Sequence, residues 1–383
     1  MLSHRPFRDA GFSAQVDTLC NVSGHVQPPP GVGVAFAISC SLLTSGFWSP
    51  TSESAAPAAS PALLSLQTRS AMSLTAKQRA LAAVTGAFVA DAATMGLHWI
   101  YDADKMKQLA AARGAAGPEF YEPPACPFYS YESGALSPYG DEILPLLQDV
   151  AQRGEFVPED FAMTSYRAAK VYTGRLNSVF KEMVVKGDAG KKYPELASPS
   201  KDLHGGIKAP VLVARYFEDT ELLVQKAREA ARVHEIGAEA EDAAVASALL
   251  VQQVVQGVSV ADAIAALTSH EAVSADTRAS IQLVIDAVKA KTFSDATAAV
   301  AHFGKPCSLP GVLQGSVFVL LTSSNYVEAL RANMLAGGDN CSRAIVIGAV
   351  TAAAQGGDVI PDEWKQKTKI YAEIQALAGK IVQ

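Results

Sequence analysis

Two short acidic segments, far apart in the chain, carry residue types that could do chemistry. Asp141 and Glu142 stand side by side in SPYGDEILPLL, and Asp339 lies three residues before Ser342 in AGGDNCSRAIV. A spacing of three places Asp339 and Ser342 on the same side of a helical turn. Carboxylates with a nearby hydroxyl can hold a divalent cation or act as a general acid and base. The two segments predict one catalytic or metal-binding site, provided that the fold brings them together.

Each of these residues also has an ordinary structural explanation. Aspartate is a good helix N-cap because its carboxylate accepts backbone N–H groups of the first turn, and for Asp141 or Asp339 alone this role is the more frequent one. His98, beside Trp99 in GLHWIYD, could equally be a core histidine. The pair Gly337–Gly338 favours a site, because glycine permits close approach of the backbone to a ligand.

A thiol in the second acidic segment offers a different chemistry. Cys341 stands at a predicted helix start, where the pKa of a thiol is lowered, so a reactive or redox cysteine is a further hypothesis beside a small buried residue. Cys307, in CSLP, has the same two interpretations. No CxxC pair is present, which favours neither a disulfide framework nor a zinc site, and a reducing compartment is expected. The five cysteines are Cys20, Cys40, Cys126, Cys307 and Cys341.

The elements that must position these residues are predicted to be helices. Apolar residues recur at steps of three and four from Ser73 onward, and alternating runs typical of strands are not evident. Alanine-rich patterns allow helices to pack closely, so we expect one compact all-α domain over 72–383. Helices are predicted at 75–95, 141–153, 158–173, 207–217, 219–233, 239–256, 259–268, 275–291, 293–303, 310–322, 326–335, 340–355 and 361–379. The long irregular stretches, 113–140 and 184–206, are expected to line a site.

Composition narrows the function classes. The 383 residues are 49% hydrophobic and 18% charged, which predicts a globular protein with a large core. The net charge is −6 with both signs mixed along the chain, so nucleic-acid binding is not expected. Residues 1–71 are rich in Ser, Pro and Ala and predict a disordered or targeting extension, with Met72 as an alternative start. The apolar run 33–48 is too short for a membrane span, and the location is expected to be cytoplasmic, or organellar with a targeting segment.

Four segments together resemble the ADP-ribosylglycohydrolase family. GAFVADAATMGLHW (86–99) is similar to the first family motif, GDE (140–142) to the Thr-Asp-Asp helix start, and GGDNCS (337–342) to the GGDTDT helix start. FGKPCSLPGVLQGSVFVLL (303–321) resembles the stretch that leads into the last motif. The sequence Cys-Ser-Leu-Pro at 307–310 most resembles the J-type crystallin and selenoprotein branch of the family.

The resemblance implies an all-α, multi-helix fold and a site for ADP-ribose or an ADP-ribosylated protein. In such a site magnesium ions hold the ribose while water cleaves the glycosidic bond. Carried over by position, the catalytic residues are Asp141 and Glu142, and the Mg²⁺ ligands are Asp141, Glu142, Asp339 and Ser342. The substrate contacts implied in the same way are His98, His204, Gly337, Gly338 and Ser342.

Several positions depart from the family pattern. Gly140 and Ile143 replace threonines, Glu142 replaces an aspartate, and Cys341 stands where an aspartate ligand is expected. Magnesium prefers hard oxygen ligands in octahedral geometry, so the sequence predicts at most one weakly held Mg²⁺. We therefore expect a hydrolase-like protein that binds ADP-ribose or a related nucleotide sugar with reduced or altered hydrolysis. The alternative is an inactive, crystallin-like binding or structural protein.

Overall fold

A computed structural model of the chain describes residues 74–382. The predicted extension at 1–71 and the alternative start at Met72 lie outside these residues. The domain boundary near residue 72 and the disordered or targeting character of the extension therefore stay predictions.

Helices are the dominant secondary structure of the described part of the chain and strands are almost absent, which confirms the all-α fold class. Two two-residue strands, β1 (Ser198–Pro199) and β2 (Glu235–Ile236), pair in parallel. The helices are α1 (Ala76–Thr94), α2 (Ala103–Arg113), α3 (Pro138–Arg153), α4 (Pro158–Val171), α5 (Ser178–Asp188), α6 (Ala209–Tyr216), α7 (Thr220–Ala231), α8 (Ala238–Val255), α9 (Val260–Leu267), α10 (Ala275–Lys289), α11 (Ala296–Phe303), α12 (Gly311–Thr322), α13 (Tyr326–Ala336), α14 (Asn340–Gln355), α15 (Asp362–Lys367) and α16 (Tyr371–Ile381).

The structure differs from the sequence-based helices in several places. Helices α2 and α5 were not predicted, so the irregular stretch expected at 184–206 begins only after Asp188. The helix predicted at 361–379 is divided into α15 and α16. Helix α3 begins at Pro138, three residues earlier than predicted, because the Ser137 hydroxyl caps it by accepting the backbone N–H of Tyr139. Asp141 therefore lies inside the first turn and is not the N-cap.

Helices α1 and α14 pack against each other at the centre of the core, and α6, α8, α13 and α16 surround them. Two glycines make this packing possible. A Cβ on Gly86 would lie 2.6 Å from the Gly348 carbonyl oxygen, and a Cβ on Gly348 would lie 2.6 Å from the Gly86 carbonyl oxygen. The two backbones are thus closer than any side chain would permit, and the C-terminal end of α1 is brought beside the start of α14.

The segment Ala76–Leu97, which contains α1, is long and apolar enough to cross a membrane by length and composition. In the folded chain 94% of its most apolar stretch is buried. A helix that is apolar all round and enclosed by other helices is typical of the core of a large domain.

The chain that follows α1 is joined to the loop that precedes α14. Ile100 and Gly338 form an antiparallel bridge, in which the Gly338 N–H donates to the Ile100 carbonyl. The Trp99 N–H donates in turn to the Gly338 carbonyl at 2.9 Å. This bridge fixes the first predicted motif beside the last one.

Candidate functional site

Asp339 holds the N-cap position of α14, but its side chain caps no backbone N–H. Its Oδ2 accepts the Ser342 hydroxyl at 2.5 Å, and its Oδ1 lies 3.5 Å from His98 Nε2. Both Asp339 Oδ1 and His98 Nε2 are buried without a hydrogen-bond partner among the described residues. Burial raises the pKa of Asp339 to about 6. The predicted pairing of Asp339 with Ser342 is therefore present, and it points toward His98.

His98 is fully buried beside Trp99, with ring centroids 4.4 Å apart. Its Nδ1 lies 3.1 Å from Asn340 Oδ1, and the Cys341 backbone N–H approaches the same nitrogen at 3.3 Å. Burial lowers the pKa of His98 to about 3, so the imidazole is neutral near neutral pH. The ring is thus a buried core histidine that neighbours Asp339, and its predicted contact with a substrate stays a prediction.

The Gly337–Gly338 pair is enclosed by the chain itself. Both glycines have positive φ, at 71° and 65°. A Cβ on Gly337 would lie 2.6 Å from the Ile100 carbonyl oxygen, and one on Gly338 would lie 2.7 Å from Lys305 Cβ. The sequence predicted that these glycines let a ligand approach the backbone closely. In the structure the chain segments at Ile100 and Lys305 make this close approach, because the glycine loop lies between them. Direct ligand contacts of this pair stay a prediction.

A fourth acidic residue, Asp91, lies near the site on α1. It is fully buried, and its carboxylate accepts the Ser137 backbone N–H at 2.8 Å and the Ser137 hydroxyl at 2.5 Å. Burial raises its pKa to about 7, and the nearby carboxylates of Asp141 and Asp339 add to the rise. Sequence reasoning missed Asp91, although a single acidic residue in the apolar helix α1 is a signal in itself, since buried carboxylates need specific partners.

Asp141 anchors a chain of hydroxyl groups. The Tyr172 hydroxyl donates to Asp141 Oδ2 at 2.6 Å, and it lies 2.8 Å from the Tyr131 hydroxyl. The Tyr131 oxygen accepts the Arg175 backbone N–H at 2.9 Å, so its own hydrogen is free to point at Tyr172. Burial raises the pKa of Asp141 to about 6, and the Tyr172 hydrogen bond opposes the rise. The chain fastens the segment after α4 to the start of α3.

Glu142 points away from this chain into a buried ion cluster. His204 Nδ1 lies 2.6 Å from its Oε2, and Lys208 Nζ donates to its Oε1 at 2.9 Å. His234 Nδ1 lies 3.1 Å from Oε1. Burial alone would raise the pKa of Glu142, but His204 and Lys208 hold it well below its usual range. The carboxylate is therefore ionised and both of its oxygens are engaged.

The two histidines of this cluster carry different charges. Burial alone would lower the pKa of His204, but the adjacent Glu142 carboxylate raises it to about 9. Burial and then the charge of Lys208 lower the pKa of His234 to about 3. His204 is thus cationic and His234 neutral near neutral pH. The sequence offered one signal for Lys208, because it stands four residues after His204 and so on the same helical face.

Tyr139 connects the two predicted acidic turns. Its ring centroid lies 5.7 Å from that of His98 and 5.6 Å from that of His204. His98 faces Asp339, and His204 contacts Glu142. The two acidic turns are therefore linked through the rings of His98, Tyr139 and His204. The carboxylates of Asp339 and Glu142 have different hydrogen-bond partners.

A cleft opens to solvent beside Asp141, between α3, α4 and the start of α5, and its empty space is about 420 Å³ with the solvent at its mouth included. Arg175 lines it and lies over two aromatic rings, with its guanidinium carbon 5.3 Å from the centroid of Trp99 and 5.4 Å from that of Phe128. Arg175 Nε is buried and has no hydrogen-bond partner within residues 74–382. The other lining residues are Pro138, Asp141, Glu142, Pro145, Ser165, Ala168, Ala169, Tyr172, Leu176, Asn177 and Phe180.

Glu142, one of the four predicted magnesium ligands, is not placed to bind a magnesium ion. Across residues 74–382, no group of three or more His, Cys, Asp or Glu side chains is placed to hold a metal ion. Glu142 is the clearest departure, because Lys208 and His204 already occupy its oxygens. The methylene that distinguishes Glu142 from the aspartate of the family pattern extends the carboxylate toward these cations. The roles assigned to Asp141, Asp339 and Ser342 stay predictions.

The thiol of Cys341 is not activated, contrary to one hypothesis. Cys341 is fully buried, and burial raises its pKa well above the ordinary thiol value, with the charges of Asp91 and Asp339 adding to the rise. The helix dipole favours a thiolate only where the sulfur keeps access to solvent. Cys307 is also buried, and neither cysteine forms a disulfide with another cysteine in residues 74–382. Cys341 is a small buried residue of the core, as the alternative interpretation predicted.

Comparison with known proteins gives one family. The family model described as ADP-ribosylglycohydrolase matches residues 72–383. Crystallin J1A of Tripedalia cystophora is 27% identical over 80% of this chain and 97% of its own length, and crystallin J1B of the same organism is 25% identical over the same shares. A solved structure titled "ADP-ribosylglycohydrolase-related protein complex" superposes with a TM-score of 0.58 at 19% identity, covering 80% of this chain and 98% of its own. The superposition shows a shared fold.

Proposed function

The chain belongs to the ADP-ribosylglycohydrolase family, and we propose that it binds ADP-ribose or a related nucleotide sugar in the cleft beside Asp141. The observation that carries the proposal is the cleft itself. Small-molecule sites in helical proteins commonly lie between helices, and this cleft opens between α3, α4 and the start of α5. Its lining combines apolar side chains with a few polar groups, which is the usual composition of such sites.

The polar groups of the cleft suit the parts of a nucleotide sugar. Arg175 Nε is a buried donor without a partner among the described residues, and a phosphate oxygen would satisfy it. Asp141 lines the cleft and can accept hydrogen bonds from ribose hydroxyls. Tyr172 and Phe180 offer aromatic surface to a planar base.

Magnesium-dependent hydrolysis is not supported by the same site. A divalent ion needs free carboxylate oxygens, and both oxygens of Glu142 are engaged by Lys208 and His204. We therefore propose binding that does not depend on magnesium, with hydrolysis reduced or lost.

A structural role is the second candidate. It is supported by the similarity to the two crystallins, which this chain matches over 97% of their length. A protein that kept the fold for packing would have no need of an open cleft, and its stability would not respond to nucleotides. The two candidates differ in whether a ligand is bound.

Titration calorimetry with ADP-ribose tests the proposal, once with EDTA and once with millimolar MgCl₂. We expect a dissociation constant on the order of micromolar under both conditions. Arg175→Leu should weaken binding at least about tenfold, the effect of about 1.4 kcal/mol. Arg167→Leu, on the exposed side of α4, is the matched control and should bind as the wild type does.

Asp339→Ala examines the second acidic turn in the same experiment. Weaker binding by this variant would extend the site from Asp141 to Asp339. No heat from the wild type under either condition would contradict the proposal and favour the structural candidate.

A further inference from the structure

The ion cluster around Glu142 contains a buried amine whose position ordinary core packing does not explain. Lys208 is 0% exposed, and it lies just before α6 in the interior of the domain. Lysine is almost never fully buried without a partner, because an ammonium group loses most of its hydration. Its Nζ donates to Glu142 Oε1 at 2.9 Å and to the His204 carbonyl at 2.5 Å. The amine is thus held by a carboxylate and a carbonyl oxygen.

Oxygen atoms of this kind are also those that a hard divalent cation would require. The Glu142 carboxylate offers two oxygens, and the ammonium of Lys208 and the imidazole of His204 take one each. His234 Nδ1 lies 3.1 Å from Oε1 of the same carboxylate. A divalent ion added here would displace these contacts and would lie close to the charge of Lys208, which repels it strongly in a buried setting.

We infer that Lys208 is the resident cation of this site, supplying the positive charge that Glu142 needs in place of a divalent metal. The ammonium fixes the orientation of Glu142, and with it the first turns of α3 that also carry Asp141. Lys208 is in this sense a positioning residue. The inference rests partly on the proposed function, because it explains how the cleft can operate without magnesium.

The chain just before α6 holds His204 and Lys208 in place beside Glu142. Glu235, from β2, accepts the backbone N–H groups of Asp202 at 3.1 Å and Gly205 at 3.0 Å. The Glu235 carboxylate therefore holds the backbone of the segment that carries His204 and Lys208. Both cations are presented to Glu142 from a fixed support, as the ligands of an ion site must be.

Thermal unfolding of the full chain without nucleotide tests the inference separately from the proposed function. We expect the melting temperature of the wild type to be the same with EDTA, with millimolar MgCl₂ and with NaCl at matched ionic strength. A rise in melting temperature with MgCl₂ beyond that of NaCl would overturn the inference. Binding of ADP-ribose plays no part in this measurement, so failure of one idea leaves the other standing.

The variant Lys208→Met keeps the length of the side chain and removes its charge. Its melting temperature should fall by roughly 5 to 15 °C, because an ionised Glu142 is left with one cation fewer in a buried position. Lys170→Met is the matched control, since Lys170 makes an ion pair with Asp188 on the surface, and its melting temperature should change by less than about 2 °C. Equal melting temperatures for Lys208→Met and the wild type would contradict the inference.

A double variant separates charge from packing. Glu142→Gln combined with Lys208→Met leaves two neutral side chains of nearly native shape. If Lys208 acts as the cation of Glu142, the double variant should recover at least half of the melting temperature lost by Lys208→Met. Losses that simply add would indicate a packing role and overturn the inference. The double variant also decides the matter if Lys208→Met does not fold, because its own folding supports the inference and its failure contradicts it.

Discussion

Both carboxylate oxygens of Asp91 accept hydrogen bonds from Ser137, Oδ2 from the backbone N–H and Oδ1 from the hydroxyl. Ser137 is also the N-cap of α3, so this contact ties the end of α1 to the helix that carries Asp141 and Glu142. The placement of the first acidic turn thus depends on a residue about fifty positions earlier in the chain.

Asp91→Asn should change how stability depends on pH. Burial raises the pKa of Asp91 from 3.8 to about 7, so the folded chain holds a proton there that the unfolded chain has released. The contribution of Asp91 to stability is therefore complete below about pH 4 and is lost as the pH rises through about 7. Denaturant unfolding between these pH values should show the decline reduced by roughly 4 kcal/mol in the variant.

The decline should not vanish in Asp91→Asn, because Asp141 and Asp339 also have raised pKa values and the same sign of effect. Asp104→Asn, at the exposed start of α2, is the control and should leave the wild-type profile unchanged. An unaltered profile in Asp91→Asn would show that the Asp91 carboxyl is not protonated in the folded chain.

Tyr172→Phe should weaken the anchoring of the cleft. The variant loses the hydrogen bond to Asp141 and the contact with the Tyr131 hydroxyl, at an expected cost of roughly 1 to 3 kcal/mol of unfolding free energy. Since the Tyr172 hydrogen bond lowers the pKa of Asp141, its removal should raise that pKa further, as measured by carbon-13 NMR of the carboxyl group.

Tyr166→Phe makes a matched control for the loss of a phenol–carboxylate bond. Tyr166 donates to Asp188 at 2.6 Å in an exposed setting, so its removal should cost less than about 0.5 kcal/mol. Similar losses for the two variants would contradict the special role assigned to Tyr172.

Gly348→Ala should destabilise the centre of the core. The added Cβ would meet the Gly86 carbonyl oxygen at 2.6 Å, and the two helices would have to separate. We expect a loss of roughly 1 to 3 kcal/mol, which is typical of overpacking. Gly379→Ala, in α16, has nothing within 4 Å of the added Cβ and should instead be neutral or stabilising by up to about 1 kcal/mol. Denaturant unfolding of the two variants measures the difference.

Cys341 should resist alkylation in the folded chain. The side chain is fully buried and its thiol pKa is raised, so the reactive thiolate is scarce and inaccessible. Iodoacetamide treatment followed by peptide mass spectrometry should find Cys341 unmodified under native conditions and modified in concentrated guanidinium chloride. Rapid native modification would restore the thiol hypothesis.

The helical fold was predictable because periodicity of apolar residues is a local property of the sequence. The start of α14 at Asn340 agrees with the predicted helix at 340–355. The start of α3 was predicted too late, because both Ser137 and Asp141 could cap a helix and only the tertiary contact with Asp91 selects Ser137.

The partners of the acidic residues were not predictable from local pattern. Glu142 was grouped with Asp141 because the two are adjacent, yet adjacent residues on a helix face different directions. One meets Tyr172, and the other meets Lys208 from a segment 66 positions later. Helix periodicity carries no information about such distant charges, so the ion cluster emerges only in three dimensions.

The bridge between Ile100 and Gly338 has a consequence for how the molecule is made. His98 and Asn340, on either side of it, touch across a separation of 242 positions. Contacts between such distant residues pay a large loop-closure entropy, so they form after local helices do. During synthesis on the ribosome, the contact between His98 and Asn340 can form only after nearly the whole domain has emerged, and a chain released early would contain helices without this contact.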